Sequence, residues 1–196
     1  MSGATATFWD EDAVAIDLLD ELLHQPLRPL VGGGLPDGPG IYLLFLQAPP
    51  LPEVYEAVAG PSSCWPVYAG KAQLSVAART ARHIVNIDHT SNLSSDRVWM
   101  ASLELGSPES VVYAEVLVLK HLKPVWNTVL TGFTSCRQGA TRRTQRLPRH
   151  ALLHPSPNVG AGAPLATVEA VKAEAWEHLR RTVPIGGGWP ALPRVV

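Results

Sequence analysis

Apolar residues follow a helical pattern near the start of the chain. Between residues 10 and 24 they return every three or four positions, at Val14, Ile16, Leu18, Leu19, Leu22 and Leu23. This spacing forms one apolar face and predicts an amphipathic helix, which Pro26 stops. The helix is acidic, because the first 27 residues contain six acidic side chains and no Lys or Arg.

Three runs rich in apolar residues predict strands. They lie at residues 40–46, 66–70 and roughly 97–105, and each is bounded by Gly, Pro or polar residues. A turn-rich stretch at residues 32–40 leads into the first strand, and a proline-rich loop separates the first two.

Three further segments predict helices, at residues 75–87, 107–122 and 167–181. Ser107 followed by Pro108 is typical of a helix start, because the hydroxyl caps a free N–H and proline suits the first helical position. Pro124 marks the end of the same helix. The valines of this segment also suit a strand, so both interpretations stay open.

Length and composition favour one domain that is rich in loops. The chain has 196 residues, 46% of them hydrophobic, and 34 are Gly or Pro (16 plus 18). No signal or transit pattern begins the sequence, no apolar stretch is long enough to span a membrane, and two cysteines are too few for a disulfide framework. We therefore expect a reduced, cytoplasmic protein.

The net charge of −1 does not by itself indicate a nucleic-acid partner, but the charge is unevenly distributed. Residues 132–150 carry no acid and a charge of +5, which leaves −6 for the rest of the chain. The five arginines of this basic segment are Arg137, Arg142, Arg143, Arg146 and Arg149. A basic run of this kind either contacts DNA or forms a solvated surface loop.

Several common catalytic patterns are absent from the sequence. Gly70 and Lys71 do not form a phosphate-binding P-loop, because Ala72 stands where Ser or Thr is needed. The seven histidines show no His-Glu-x-x-His zinc motif, and there is no Gly-x-Ser-x-Gly elbow.

A smaller set of side chains suggests chemistry. Glu115 interrupts the apolar run 111–119, where a carboxylate needs a cation, a metal or a position at the rim of the core. Arg79 and His83 are four residues apart and share one face of the predicted helix, with Arg82 beside them. On its own this helix face is also compatible with ordinary solvated side chains.

The order of these residues resembles that of the GIY-YIG nuclease family. Gly40-Ile41-Tyr42 is followed by Tyr68-Ala69-Gly70 and Lys71, and the later matches are Arg79, Glu115 and Asn127. The core of the likeness covers roughly residues 38–130. Within the family the chain is similar to the Eco29kI-type restriction endonucleases over roughly residues 8–150, through the runs at 66–72 and 122–127. Ala69 departs from the branched residue of the family motif.

The resemblance implies an α/β (α+β) fold, with a three-stranded antiparallel sheet flanked by helices. Residues 1–37 would form an N-terminal helical extension of a single domain. Residues 131–196 would form a basic DNA-contacting segment with a C-terminal helix.

The resemblance also implies roles for the site residues. Glu115 would bind one Mg²⁺ or Mn²⁺, and Arg79 would stabilise charge on the scissile phosphate. Tyr42 would accept a proton from the attacking water, provided that its neighbours lower its pKa from about 10. His83 would either hydrogen-bond Tyr42 or take the proton itself.

Lys71, Arg79 and the metal are the candidates for lowering the pKa of Tyr42. Tyr68 would orient the phosphate or the water, and Asn127 would hold the Glu115 helix and the core turn. The expected DNA contacts are Arg82, Arg137, Arg142, Arg143 and Arg146. The implied protein is a homodimeric restriction endonuclease that cuts palindromic double-stranded DNA, with a methyltransferase as its partner in the host.

Arg outnumbers Lys by 12 to 4, which favours a GC-rich site. Two alternatives remain: a structure-specific repair nuclease, and a DNA-binding module without activity.

Overall fold

The computed structural model describes residues 11–32, 34–47, 52–56, 58, 65–133, 147–157 and 163–183. The strands in these ranges are β1 (Arg28–Pro29), β2 (Gly40–Leu46), β3 (Tyr68–Ala72) and β4 (Val98–Glu104). The helices are α1 (Glu11–Leu23), α2 (Val76–Asp88), α3 (Pro108–Leu122), α4 (Val125–Thr128), α5 (Arg149–Leu153) and α6 (Val168–Thr182). Short 3-10 turns occupy Glu53–Tyr55 and Ser95–Arg97.

The sheet is antiparallel, with the strand order β1-β4-β2-β3. Strand β2 is central, and every residue in it is buried. The predicted α+β class is confirmed, but the expected three strands are four, because Arg28 and Pro29 pair with Met100 and Trp99. Two exposed residues, one of them proline, show no strand pattern in the sequence.

Helix α3 resolves the alternative that the sequence left open. The Ser107 side chain accepts a hydrogen bond from the backbone N–H of Ser110, and Pro108 takes the first helical position. The valines belong to a helix because Val111 and Val118 face the core, whereas Val112 and Val116 lie on the exposed side.

Helices α2 and α3 lie on the two sides of the edge strand β3. Tyr42 pairs with Gly70 across the sheet, and alternation along β3 puts Tyr68 on the same face, towards α2. Lys71 points to the other side, where it meets Glu115 of α3. The edge strand therefore brings both helices to one site.

The C-terminal helix α6 is joined to the rest of the domain by polar contacts. Lys172 pairs with Glu53, and His178 donates to the backbone carbonyl of Lys123 at 2.7 Å. Arg149, which the sequence placed in the basic segment, begins α5 and pairs with Glu174. It is therefore held by an ion pair within the fold. No helix in the described ranges is long and apolar enough to cross a membrane.

Candidate active site

A tyrosine–histidine pair lies at the centre of the candidate site. Tyr42 sits in the middle of β2, and the structure buries it completely. Its hydroxyl oxygen is 2.6 Å from Nε2 of His83, which α2 carries on its buried face. Ser75 starts this helix by accepting a hydrogen bond from the backbone N–H of Ala78, so the position of His83 is set by a capped helix.

Arg79 lies one helical turn before His83 on the same face. Its guanidinium lies close enough to the Tyr42 and Tyr68 hydroxyls for its positive charge to act on the pKa of both. When His83 is neutral with its proton on Nδ1, the Tyr42 O–H donates to Nε2.

The environment raises the pKa of Tyr42 far above its ordinary value of 10.0. Burial is the main cause and the neighbouring Tyr68 adds to it, while Arg79 opposes both. The expectation that neighbours lower this pKa is therefore wrong for the protein without substrate. Arg79 supplies the expected effect, but the loss of water around the buried phenol is larger.

The pKa of His83 shifts in the opposite direction. Burial, together with the positive charge of Arg79, lowers it from 6.5 to about 3. His83 is consequently neutral at neutral pH, and a neutral imidazole nitrogen is able to accept the Tyr42 proton. At neutral pH Tyr42 is therefore a phenol and His83 a neutral imidazole.

Glu115 and Lys71 form the second half of the site. The Lys71 ammonium is 2.6 Å from a Glu115 carboxylate oxygen, and the two side chains are 32% and 21% exposed. The ion pair accounts for a carboxylate within the apolar run of α3. Partial exposure also leaves the carboxylate accessible to a ligand from the solvent side.

These groups surround an open cleft of about 410 Å³. Tyr68, Lys71, Arg79, Arg82 and Glu115 line it, together with the turn that links β3 to α2. Tyr42 and His83 lie behind Tyr68 and Arg79. The structure thus brings together six predicted site residues: Tyr42, Tyr68, Lys71, Arg79, His83 and Glu115. The exposed Arg82, a predicted DNA contact, lies at the edge of the same cleft.

Asn127 has a different position from the other predicted site residues. Its side chain accepts from the backbone N–H of Ala69 at 2.8 Å and donates to the carbonyl of the same residue at 2.9 Å. The expectation that Asn127 holds the Glu115 helix is therefore corrected, because these bonds hold β3. Both bonds are to the backbone of Ala69, so Asn127 holds the part of β3 that lies between Tyr68 and Gly70.

Sequence reasoning missed Phe133. Its ring stacks on His83 with centroids 5.1 Å apart and an interplanar angle of 13°, and it meets Tyr68 edge-on at the same centroid distance. Phe133 therefore shields the imidazole from water, which contributes to the lowered pKa of His83. The only signal in the sequence is one aromatic residue a few positions after Asn127.

Gly70 is also a site residue, and the reason is space. A Cβ atom at this position would lie 2.5 Å from the Tyr42 hydroxyl oxygen and 2.7 Å from Cε1 of Tyr68. The absence of a side chain lets the Tyr42 hydroxyl pass over β3 towards α2.

We expect Gly70→Ala to lower the free energy of unfolding by about 1–3 kcal/mol, the usual cost of overpacking, and to reduce activity by displacing Tyr42. Gly106→Ala is the matched control, because a Cβ there meets nothing within 4 Å. Urea denaturation measures the difference between the two variants. Equal stability of both would show that Gly70 does not form the Tyr42 passage.

Four of the predicted DNA-contacting arginines lie outside the described residues. They are Arg137, Arg142, Arg143 and Arg146.

The donor set of the cleft suits one divalent metal ion that keeps most of its water. Among the described residues there is no group of three or more His, Cys, Asp or Glu side chains that could hold a metal. Of the described residues that line the cleft, Glu115 is the one with a carboxylate. Mg²⁺ binds oxygen ligands, retains several waters and is commonly held by one or two carboxylates plus substrate phosphates.

The GIY-YIG class of nuclease domain is defined by a small antiparallel sheet with tyrosines on adjacent strands. The next helix carries Arg and His, and the helix after it carries Glu. A family model described as the Eco29kI GIY-YIG domain matches residues 73–175, more than half of the chain. The chain belongs to this Eco29kI family of GIY-YIG domains.

The matched residues include Arg79, His83, Glu115 and Asn127, while Tyr42 and Tyr68 precede the match and join the site through the sheet. No curated protein matches this sequence with statistical significance.

Proposed function

We propose that the chain is a restriction endonuclease that hydrolyses phosphodiester bonds at a specific site in double-stranded DNA, with one Mg²⁺ per active site and Mn²⁺ as a substitute. The observation that carries this proposal is the Tyr42–His83 hydrogen bond of 2.6 Å, placed behind a cleft that contains Arg79 and Glu115. This arrangement combines a proton acceptor, a phosphate-binding cation and a metal ligand.

The charge of the cleft favours a phosphate. Lys71, Arg79 and Arg82 contribute three positive charges and Glu115 one negative charge, which gives +2 for the lining residues (3 minus 1). The whole chain has a net charge of −1, so the cleft is positive against an acidic background. Arg79 is the best placed to meet the scissile phosphate, because its charge also acts on the hydroxyls of both tyrosines.

Tyr42 and His83 would act as a proton relay. The Tyr42 oxygen receives a proton from the attacking water while its own O–H proton passes to Nε2 of His83. A relay needs no free phenolate before the reaction, which agrees with the raised pKa of Tyr42. An anionic phosphate beside Arg79 would offset the positive charge that lowers the pKa of His83, and so would favour proton acceptance.

Glu115 would hold the metal ion. Its present partner, Lys71, would then be free to contact a phosphate oxygen. When bound, the metal supplies positive charge that stabilises the negative charge of the transition state. Tyr68 would orient the phosphate from the floor of the cleft, and Asn127 would position β3.

A palindromic, GC-rich site and a homodimer belong to the same proposal, because two copies related by a two-fold axis cut both strands of a palindrome most simply. A host methyltransferase would protect the same sequence. The protein would work in the cytoplasm, where its DNA substrate lies. The basic segment and Arg82 would supply further DNA contacts.

Replacing Arg142 and Arg143 with Ala is expected to weaken DNA binding and to flatten its dependence on salt. Each lost phosphate contact removes about 0.9 from the slope of log affinity against log salt concentration, so the loss of two contacts changes the slope by up to about 1.8. Arg180 and Arg181, two exposed arginines on α6, provide a matched double variant. An unchanged slope in Arg142→Ala/Arg143→Ala would show that the basic segment does not contact DNA.

Incubation of the pure protein with plasmid DNA and Mg²⁺ tests the proposed function. Discrete fragments that disappear when EDTA removes the metal support a restriction endonuclease. Cleavage confined to branched DNA would instead indicate a structure-specific nuclease. DNA binding without any cleavage would indicate a binding module and contradict the proposed activity.

A further inference from the structure

The turn between β3 and α2 holds a leucine out into the solvent. Leu74 is 84% exposed, the highest value among the large apolar side chains of the described residues. The turn is fixed, because Ser75 caps the backbone N–H of Ala78 and donates to an Asp37 carboxylate oxygen at 2.7 Å. The exposure of Leu74 is therefore a property of an anchored backbone.

Among the described residues, the surroundings of Leu74 supply no packing that would explain this leucine, which is 84% exposed. Leu74 directly precedes the capping residue of α2, a position from which an apolar side chain often packs against the fourth residue of the helix. That residue is Arg79, whose side chain is charged and whose guanidinium acts on the hydroxyls of the two tyrosines. The usual stabilising contact of a helix start is thus absent at this position.

The surroundings of Leu74 suggest what it contacts. It lines the same cleft as Lys71, Arg79, Arg82 and Glu115, with the polar Gln73 beside it. An apolar side chain between cations matches the surface of a nucleic acid, where charged phosphates alternate with the apolar faces of sugars and bases. DNA-binding proteins use apolar side chains, leucine among them, as wedges between base steps in the minor groove.

We propose that Leu74 contacts DNA, packing against the sugars and base edges of the nucleotides next to the phosphate that is cut. Gln73 faces the same nucleotides and supplies hydrogen-bonding groups to the base edges. This inference rests on the proposed nuclease function and adds a DNA-contacting turn to it. The contact is apolar, so it contributes to affinity without contributing to the salt dependence of binding.

The test uses the full chain and a synthetic duplex that carries a sequence cut by the wild type in a plasmid digest. Binding is measured with Ca²⁺ in place of Mg²⁺ over a series of salt concentrations. Leu74→Ala is expected to raise the Kd by about 10-fold with an unchanged salt slope, because it removes a buried apolar contact and no charge. Leu74→Met retains an apolar side chain of similar length and should bind within about 2-fold of the wild type.

Leu165→Ala is the matched control, because Leu165 is also highly exposed, at 67%, and lies outside the cleft. It should bind DNA as the wild type does. Three results with Leu74→Ala would each overturn the DNA contact. They are wild-type affinity, a loss of affinity that comes with a flatter salt slope, and a fall in melting temperature. A wild type that cuts no DNA would overturn the proposed function itself, whereas a wild type that cuts, with Leu74→Ala binding normally, overturns this inference alone.

Discussion

Replacing Glu115 with Gln is expected to reduce Mg²⁺-dependent DNA cleavage to background. The amide keeps the shape of the side chain but removes the negative charge that an oxygen ligand offers to a hard cation. DNA binding should persist, because the three cations of the cleft remain and one negative charge is lost. The fold should persist too, since a part-exposed ion pair of this kind contributes at most about 1 kcal/mol.

Glu109→Gln makes the matched control for this variant. Glu109 lies in the first turn of the same helix, is exposed, and does not line the cleft. It should cleave DNA at the wild-type rate. Near-normal cleavage by Glu115→Gln in Mg²⁺ would remove Glu115 from the metal site, and a loss of the fold would indicate that this carboxylate is structural.

Tyr42→Phe is expected to lower the single-turnover cleavage rate by at least about 100-fold, the usual size of a general-base contribution. The ring that fills the centre of β2 remains, so the variant should fold with the loss of about 1 kcal/mol for one hydrogen bond. His83→Ala should lose less activity, because water can enter the space and accept the Tyr42 proton. Tyr113→Phe removes an exposed hydroxyl from α3 and serves as the control.

The pH dependence of the wild type separates a relay from a free phenolate. The pKa of His83 is about 3, and burial raises that of Tyr42, so neither group changes charge near neutrality. A relay therefore predicts a nearly level rate between about pH 6 and about pH 9. A phenolate base would instead raise the cleavage rate about tenfold per pH unit over this range. Full activity in Tyr42→Phe would remove tyrosine from the mechanism and leave His83 as the base.

Much of the fold was predictable because its elements carry strong local signals. Strand β2 was predicted with its observed bounds, and helices α1, α2 and α6 were predicted to within a residue or two. The apolar run of β2 reflects a strand that is buried on both faces. Strand β3 was predicted to begin two residues too early. Pro66 and Val67 continue the apolar pattern, but pairing with β2 begins only at Tyr68.

The composition of the site was also predictable, whereas its energetics were not. Motif order identified Tyr42, Arg79 and Glu115 as candidates. Helices α2 and α3 bring Arg79 and Glu115 to one cleft, and β2 places Tyr42 behind it. Neither the raised pKa of Tyr42 nor the lowered pKa of His83 followed from the sequence, because both depend on the water excluded by tertiary packing.

Contacts between distant segments account for the remaining differences. The hydrogen bonds of Asn127 to Ala69 join residues 58 positions apart, and Phe133 stacks on His83 from a turn after α4. No local pattern encodes either partner. Gly70 shows the same limitation, since its requirement for space depends on the hydroxyl of a residue in the neighbouring strand.

The most direct test of metal-dependent DNA hydrolysis at this cleft is a time course of supercoiled plasmid cleavage in Mg²⁺, with the wild type and Glu115→Gln at equal concentration. We expect discrete fragments from the wild type and intact plasmid from the variant, with both proteins folded and bound to DNA. Intact plasmid with both proteins, or the same fragments from both, would contradict it.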